Sequence, residues 1–232
     1  NNLNQYTQAG DVSCTYDDDG NLATKTEGGD VWNYSYDESN RLIGVTHGAD
    51  TWTYTYNALG NRAAVDHNGT SYYYVSDPIF TGNVLGEYDA GGNLVSRYNY
   101  GLGLAESVAG DGSEAYYTFD GLMNTSELLD QSGTVLNSYA YDPFGVPLLA
   151  TGTTPNLFTY AGNFGVMYDK SGLYYMKNRY LDPNLGRFTT MEPLRLKGIN
   201  LYAYVHNSPI SYVDPNGAEE VYRRTREREI QS

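Results

Sequence analysis

The clearest pattern along the chain is a strict alternation of large aromatic and small polar residues. Trp32-Asn33-Tyr34-Ser35-Tyr36 and Trp52-Thr53-Tyr54-Thr55-Tyr56 each have the period of two expected of a half-buried strand. Each segment runs into a polar turn: Tyr16-Asp17 is followed by Gly20-Asn21-Leu22, Tyr36-Asp37 by Asn40-Arg41-Leu42, and Tyr56-Asn57 by Gly60-Asn61-Arg62. Gly and Asn tolerate the positive φ that a tight reversal needs, and Leu22, Leu42 and Leu94 begin the return strands. The leading tyrosines stand at 16, 36 and 56, so the unit is a hairpin repeated every twenty residues. Looser copies follow at Tyr88-Asp89 with Gly92-Asn93-Leu94, at Phe119-Asp120, and at Asp130 with Gly133-Thr134-Val135. Helical spacing of apolar residues is essentially missing before residue 218. The expectation is an all-β protein: a spiralling array of hairpins forming a curved sheet over residues 1–138.

Composition sharpens this picture. The 232 residues include 25 Tyr and 26 Gly against 6 Phe and 2 Trp, a profile of strands and tight turns. The formal charge of −14 makes nucleic acid and anionic lipid poor partners. One cysteine, Cys14, rules out an internal disulfide, and no apolar run reaches membrane-spanning length, so no membrane insertion is expected. No secretory signal opens the sequence, whose first residues read as the middle of a repeat and suggest a fragment of a longer polypeptide.

From about residue 139 the pattern changes. Tyr141-Asp142-Pro143-Phe144-Gly145 is followed by Asp169-Lys170-Ser171-Gly172-Leu173-Tyr174-Tyr175, then by Arg179-Tyr180-Leu181-Asp182-Pro183 and Gly186-Arg187-Phe188. Asn200-Leu201-Tyr202-Ala203-Tyr204-Val205 and Asp214-Pro215-Asn216-Gly217 close the block. A charged tail, 218–232, ends the chain, with Glu219-Glu220 followed by alternating Arg and Glu.

The hairpin units resemble the YD repeats of Rhs proteins, of the C component of insecticidal toxin complexes and of teneurins. The block from 139 to 217 is similar to the Rhs-repeat-associated core domain. That resemblance implies a β-cocoon shell closed by the core domain, presenting or enclosing a C-terminal effector. It also implies a single-turnover aspartyl autoprotease that cuts behind the final Asp-Pro-x-Gly segment. Such chemistry needs one ionised carboxylate to activate water and one protonated carboxyl to polarise the peptide carbonyl. Carried over, the pair falls on Glu192 and Asp214, the matching cation is Arg187, and the cut falls between Ala218 and Glu219. Glu192 stands where the family usually has Asp, and Ala218 where it usually has Leu.

Other candidates have simpler readings. Asp17-Asp18-Asp19 lacks the distal glutamate and flanking helices of a calcium loop, so it reads as a hairpin turn. His47, His67 and His206 have no ligand spacing, and no metal or cofactor is implied. Asn33, Asn68 and Asn124 sit in glycosylation-type triplets that arise readily in so polar a chain. Three functions compete. The first is the closing end of an Rhs-type shell, whose partners are the rest of a larger polypeptide or an effector. The second is a secreted or cell-surface fibre that meets glycans through its tyrosines, or further copies of itself through its sheet edges. The third is a stand-alone hydrolase, supported by the two acids alone. Export from a bacterial or archaeal cell suits the first two.

Overall fold

The computed structural model describes residues 3–79, 81–192, 200–218 and 221–222. One antiparallel meander dominates it, each strand pairing with the next in chain order. Its strands are β1 (Gln8–Ala9), β2 (Val12–Tyr16), β3 (Leu22–Glu27), β4 (Asp30–Tyr36), β5 (Leu42–His47), β6 (Asp50–Tyr56), β7 (Arg62–His67) and β8 (Thr70–Ser76). It continues through β9 (Val84–Asp89), β10 (Leu94–Tyr100), β11 (Leu104–Ala109), β12 (Glu114–Phe119), β13 (Thr125–Leu129), β14 (Val135–Tyr141) and β15 (Pro147–Thr151). Among the described residues β1 and β15 do not meet, so the sheet stays open, as the expected curved hairpin array requires. Residues 139–151, which the sequence pattern assigns to the second block, extend this sheet as part of β14 and β15.

The twenty-residue period corresponds to a repeated local geometry. The register shifts by a bulge between Thr15 and Tyr16, between Ser35 and Tyr36, and between Thr55 and Tyr56. A bulge bends its strand and adds twist, so a bulge in the same place in every unit bends the sheet the same way each time. The turn that follows has one recipe: the Asp17 N–H donates to the Asn21 carbonyl at 2.9 Å, and the Gly20 N–H to the Asp17 carbonyl at 3.0 Å. Asp17 Oδ1 also accepts the Asn21 N–H at 2.7 Å, which is why an acid or amide opens the turn. The residue taking positive φ is Gly20 in the first unit and Asn40 in the second. The acidic run at 17–19 is therefore a turn whose first carboxylate is occupied by backbone.

Tyrosine outnumbers phenylalanine for a reason that lies between units. The Tyr36 hydroxyl donates to the Leu22 carbonyl at 3.1 Å, and the Tyr56 hydroxyl to the Leu42 carbonyl at 2.6 Å. Each tyrosine thus ties its own hairpin to the preceding one through a half-buried hydrogen bond, which phenylalanine cannot make. His47 and His67 pair across strands with tryptophans. His47 stacks on Trp32 with centroids 3.8 Å apart, and His67 on Trp52 at 4.6 Å.

The later block folds as a small sheet of β16 (Met167–Tyr168), β17 (Tyr174–Met176), β18 (Arg179–Asp182) and β19 (Arg187–Phe188), with a separate pair β20 (Tyr212–Val213) and β21 (Val221–Tyr222). It lies against one face of the long sheet. Leu22, Leu42, Val45, Tyr54, Tyr98 and Leu128 from the sheet share a single buried cluster with Phe158, Met167, Leu173 and Tyr180 from the block. A second cluster, with Tyr160, Tyr174, Leu181, Phe188 and Tyr204, lies inside the block itself.

Candidate functional site

Two buried cations hold the block to the sheet. Lys25 on β3 pairs with Asp182 at 2.5 Å, and Arg62 at the start of β7 pairs with Asp169 at 2.6 Å. Arg62 occupies the slot that holds leucine in the two preceding units. It is 2% exposed, and the rings of Tyr54, Tyr74, Tyr175 and Tyr180 surround its guanidinium at 4.7 to 5.9 Å. Nearby tyrosines and Asp169 hold its pKa well above the ordinary value, against the opposing effect of burial. Backbone hydrogen bonds extend the seam at either end. The Leu22 N–H donates to the Thr189 carbonyl at 2.8 Å, and the Thr125 N–H to the Thr159 carbonyl at 2.9 Å.

This anchoring positions a third buried cation, Arg179 on β18. The aromatic face of Phe188 lies 3.6 Å from its guanidinium carbon. Arg179 Nη2 reaches Glu192 Oε2 at 2.6 Å and Asp214 Oδ2 at 3.2 Å. The structure thus brings Glu192 and Asp214 to one guanidinium, Glu192 being held in turn by its N–H donating to the Leu201 carbonyl at 2.8 Å. Burial lowers the pKa of Arg179 from its ordinary value while the two carboxylates pull it back up.

The same guanidinium grips the chain next to the expected cut. Arg179 Nε donates to the Gly217 carbonyl at 2.5 Å, and the Ala218 N–H donates to Asp214 Oδ1 at 3.1 Å. Asn178 adds its backbone N–H and its Nδ2, both donating to the Asn216 carbonyl, at 3.0 and 2.8 Å. Gly217 has φ +70, and a Cβ there would stand 2.6 Å from the Met176 carbonyl oxygen and 2.9 Å from the Arg179 nitrogen. Only glycine fits this seat. Glu219 and the tail beyond Tyr222 lie outside the described residues.

Arg187, assigned to the pair by family resemblance, sits elsewhere. Its Nη2 donates to the Asn4 carbonyl at 2.5 Å and to Asn200 Oδ1 at 3.3 Å, and its described ring contacts are with Tyr6 and Tyr202. Arg179 stands in an Arg-Tyr-Leu-Asp-Pro run to which the sequence alone gives no role. No local spacing could have supplied one, because its partners lie 35 residues on at Asp214 and on an intervening loop at Glu192. Arg62 carried a readable signal, a charge breaking a leucine slot in a regular repeat.

Comparison with known proteins agrees with the repeat geometry. A family model described as RHS Repeat matches residues 16–50. The tRNA3(Ser)-specific nuclease WapA of Bacillus spizizenii is 33% identical over 160 residues, which cover 63% of this chain and 6% of that protein. Toxin subunit YenC1 of Yersinia entomophaga is 32% identical over 133 residues, 56% of this chain and 13% of that protein. A crystal structure of TcdB2-TccC3 aligns with 89% of this chain and 17% of its own, at 17% identity and a TM-score of 0.43. The chain therefore spans a small part of the length of each of these relatives. With its bulged twenty-residue hairpins and the matching repeat model, the chain carries an RHS repeat at residues 16–50 and is similar in sequence to WapA and to the toxin subunit YenC1.

Proposed function

We propose that this chain is the closing end of an exported Rhs-type shell and that it cuts itself behind Ala218, freeing whatever follows. The observation that carries the second half is the convergence on Arg179. Two carboxylates and the Gly217 carbonyl share that one guanidinium, and the Ala218 N–H rests on one of the carboxylates.

The roles follow from charge. Glu192 and Asp214 on a single cation carry one negative charge in excess, so one added proton leaves the cluster neutral with one ionised and one protonated acid. The ionised member takes a proton from water as the water oxygen adds to the Ala218 carbonyl carbon, and the protonated member donates to the carbonyl oxygen. A proton then passes to the Glu219 nitrogen as the Ala218–Glu219 C–N bond breaks, leaving a carboxyl group on Ala218. Arg179 holds both acids in place and fixes the peptide unit just before the Ala218–Glu219 bond, a positioning task that protein groups perform without the entropy cost of encounter. The neighbouring Asp214 contact and the glycine seat keep the chain in register. Export of the parent protein and enclosure of an effector belong to the same reading, and the relatedness to toxin subunits supports them.

The test is the intact mass of the purified full chain over prolonged incubation. The expected products are a fragment ending at Ala218 and the remaining tail peptide, with Asp214→Asn and Glu192→Gln both staying whole. A wild-type chain that keeps its full mass would remove self-cleavage. A fragment one alanine shorter would move the scissile bond to Gly217–Ala218, the peptide gripped at both ends by Arg179 and Asp214.

A further inference from the structure

Among the described residues Arg187 is a buried cation with no carboxylate paired to it. It is 3% exposed, yet no carboxylate lies within ion-pair distance of it among the described residues. Its Nη2 is occupied by Asn4 and Asn200, but Nε and Nη1 are shut off from solvent with no acceptor among the described residues. Tyr6 lies 3.7 Å and Tyr202 5.0 Å from the guanidinium carbon, and their ring faces supply part of the missing negative charge. They accept nothing in the guanidinium plane, where the strong, directional partners of arginine are carboxylates. An unpaired buried guanidinium is expensive, and burial already draws its pKa below the ordinary value.

A cavity of about 380 Å³ opens beside this group. Its wall includes Tyr6, Phe144, Asn184, Arg187, Asn200 and Asn207: one cation, three amides and two rings. Asp142 also borders it, but Asp142 Oδ1 is taken by the N–H groups of Phe144 and Val146. We propose that Arg187 and this cavity form a binding site for a carboxylate, separate from the Glu192–Asp214 pair. The site has room for more than the carboxylate alone, and amides beside aromatic rings suit a hydroxylated carrier such as a uronate. Tyr6, 43% exposed and lying across the guanidinium, is the part of the wall that yields to admit it.

Two sources offer the same chemistry. One is a free small carboxylate. The other is the chain itself: of the residues outside the description, 1–2, 80 and 193–199 carry no acid, whereas the tail carries Glu219, Glu220, Glu227 and Glu229. A glutamate of the tail seated on Arg187 would tether that segment to the block.

The Arg187 Nε–H resonance of the nitrogen-15-labelled full chain reads the site directly, assigned by its loss in Arg187→Lys. The chain is titrated with sodium acetate and sodium glucuronate, with glucose and with sodium chloride at matched ionic strength. Saturable shifts with acetate and glucuronate, little shift with glucose or chloride, and at least tenfold weaker glucuronate binding to Arg187→Lys establish a site for free carboxylates. Should the wild type stay silent while the chain with all four tail glutamates changed to glutamine responds, the tail occupies the site. Silence in both chains, or equal shifts with chloride, overturns the proposal. Where Arg187→Lys fails to fold, the glucuronate-against-chloride comparison in the wild type decides alone. Neither readout depends on cleavage, so this proposal and self-cleavage stand or fall separately.

Discussion

The hairpin array and the block that lies on it obey different rules. In the array the repeating contacts are local: each strand pairs with its chain neighbour, an aspartate or asparagine at the head of each twenty-residue unit's turn accepts from the backbone, and Tyr36 and Tyr56 each reach back fourteen residues to the unit before. In the block the deciding contacts are remote, with Asp169 meeting Arg62, Asp182 meeting Lys25 and Arg179 meeting Asp214. The comparison teaches that the array supplies shape through repetition, while the block is seated by single charged residues that repetition cannot provide. It also predicts where each region breaks.

The largest effect is expected at the seam. Arg62→Met leaves Asp169 buried without its cation and costs about 3–5 kcal/mol of unfolding free energy by chemical denaturation. The double change Arg62→Met with Asp169→Asn recovers most of that loss, because no uncompensated charge remains. Equal destabilisation of the single and double variants would mean that packing of the arginine among its tyrosines, not charge, holds the block.

Next comes the glycine seat. Gly217→Ala forces a Cβ against the Met176 carbonyl and the Arg179 backbone nitrogen at a positive φ, a strain of about 1–3 kcal/mol localised to the end of the block. The proposed self-cleavage, followed by intact mass, should slow at least tenfold while the far-UV signal of the array stays unchanged. A change in the array signal would show that the two regions are less separable than their contacts suggest.

Within the array, Tyr56→Phe removes the hydroxyl from the Leu42 carbonyl and should cost about 1 kcal/mol. The same substitution at Tyr36, which makes a longer bond to Leu22, should cost less. Matching losses at the two positions would argue that ring packing dominates the link between units.

The smallest effect concerns pH. Glu87 on β9 is 7% exposed, and burial raises its carboxyl above the ordinary value although the Tyr98 hydroxyl donates to it at 3.2 Å. A carboxyl raised in the folded state favours folding while protonated. Its contribution is therefore present below the unfolded pKa of about 4.5 and is lost as pH rises through the raised value. Glu87→Gln should flatten this part of the stability profile and leave the acid side unchanged. An identical slope in both chains would place the dependence elsewhere.

The array was legible in the sequence because its causes are short-range. Alternation, turn residues and a fixed period all lie within a twenty-residue window, and the positions of Tyr16, Tyr36 and Tyr56 set the hairpins. The bulges were not legible, since no residue type marks them, and neither was the acceptor of each tyrosine hydroxyl, which belongs to another unit. In the block, resemblance supplied Glu192 and Asp214 and the structure brought both to one cation. The identity of that cation, Arg179, came only from the fold, where Phe188 and the turn at Asn178 aim it. Two arginines eight residues apart in similar surroundings of aromatic rings cannot be told apart by eye. Among the described residues one is ion-paired with two acids and the other with none.

The placement of Lys25 and Arg62 has an evolutionary corollary. These side chains mark two fixed points along the array, nearly two hairpins apart, at which the block must find Asp182 and Asp169. A hairpin gained between those points would put the two anchors out of step with their acids. Losing one between the points would draw Arg62 a full unit away from its acid. Two buried ion pairs thus make this stretch a gauge of repeat number.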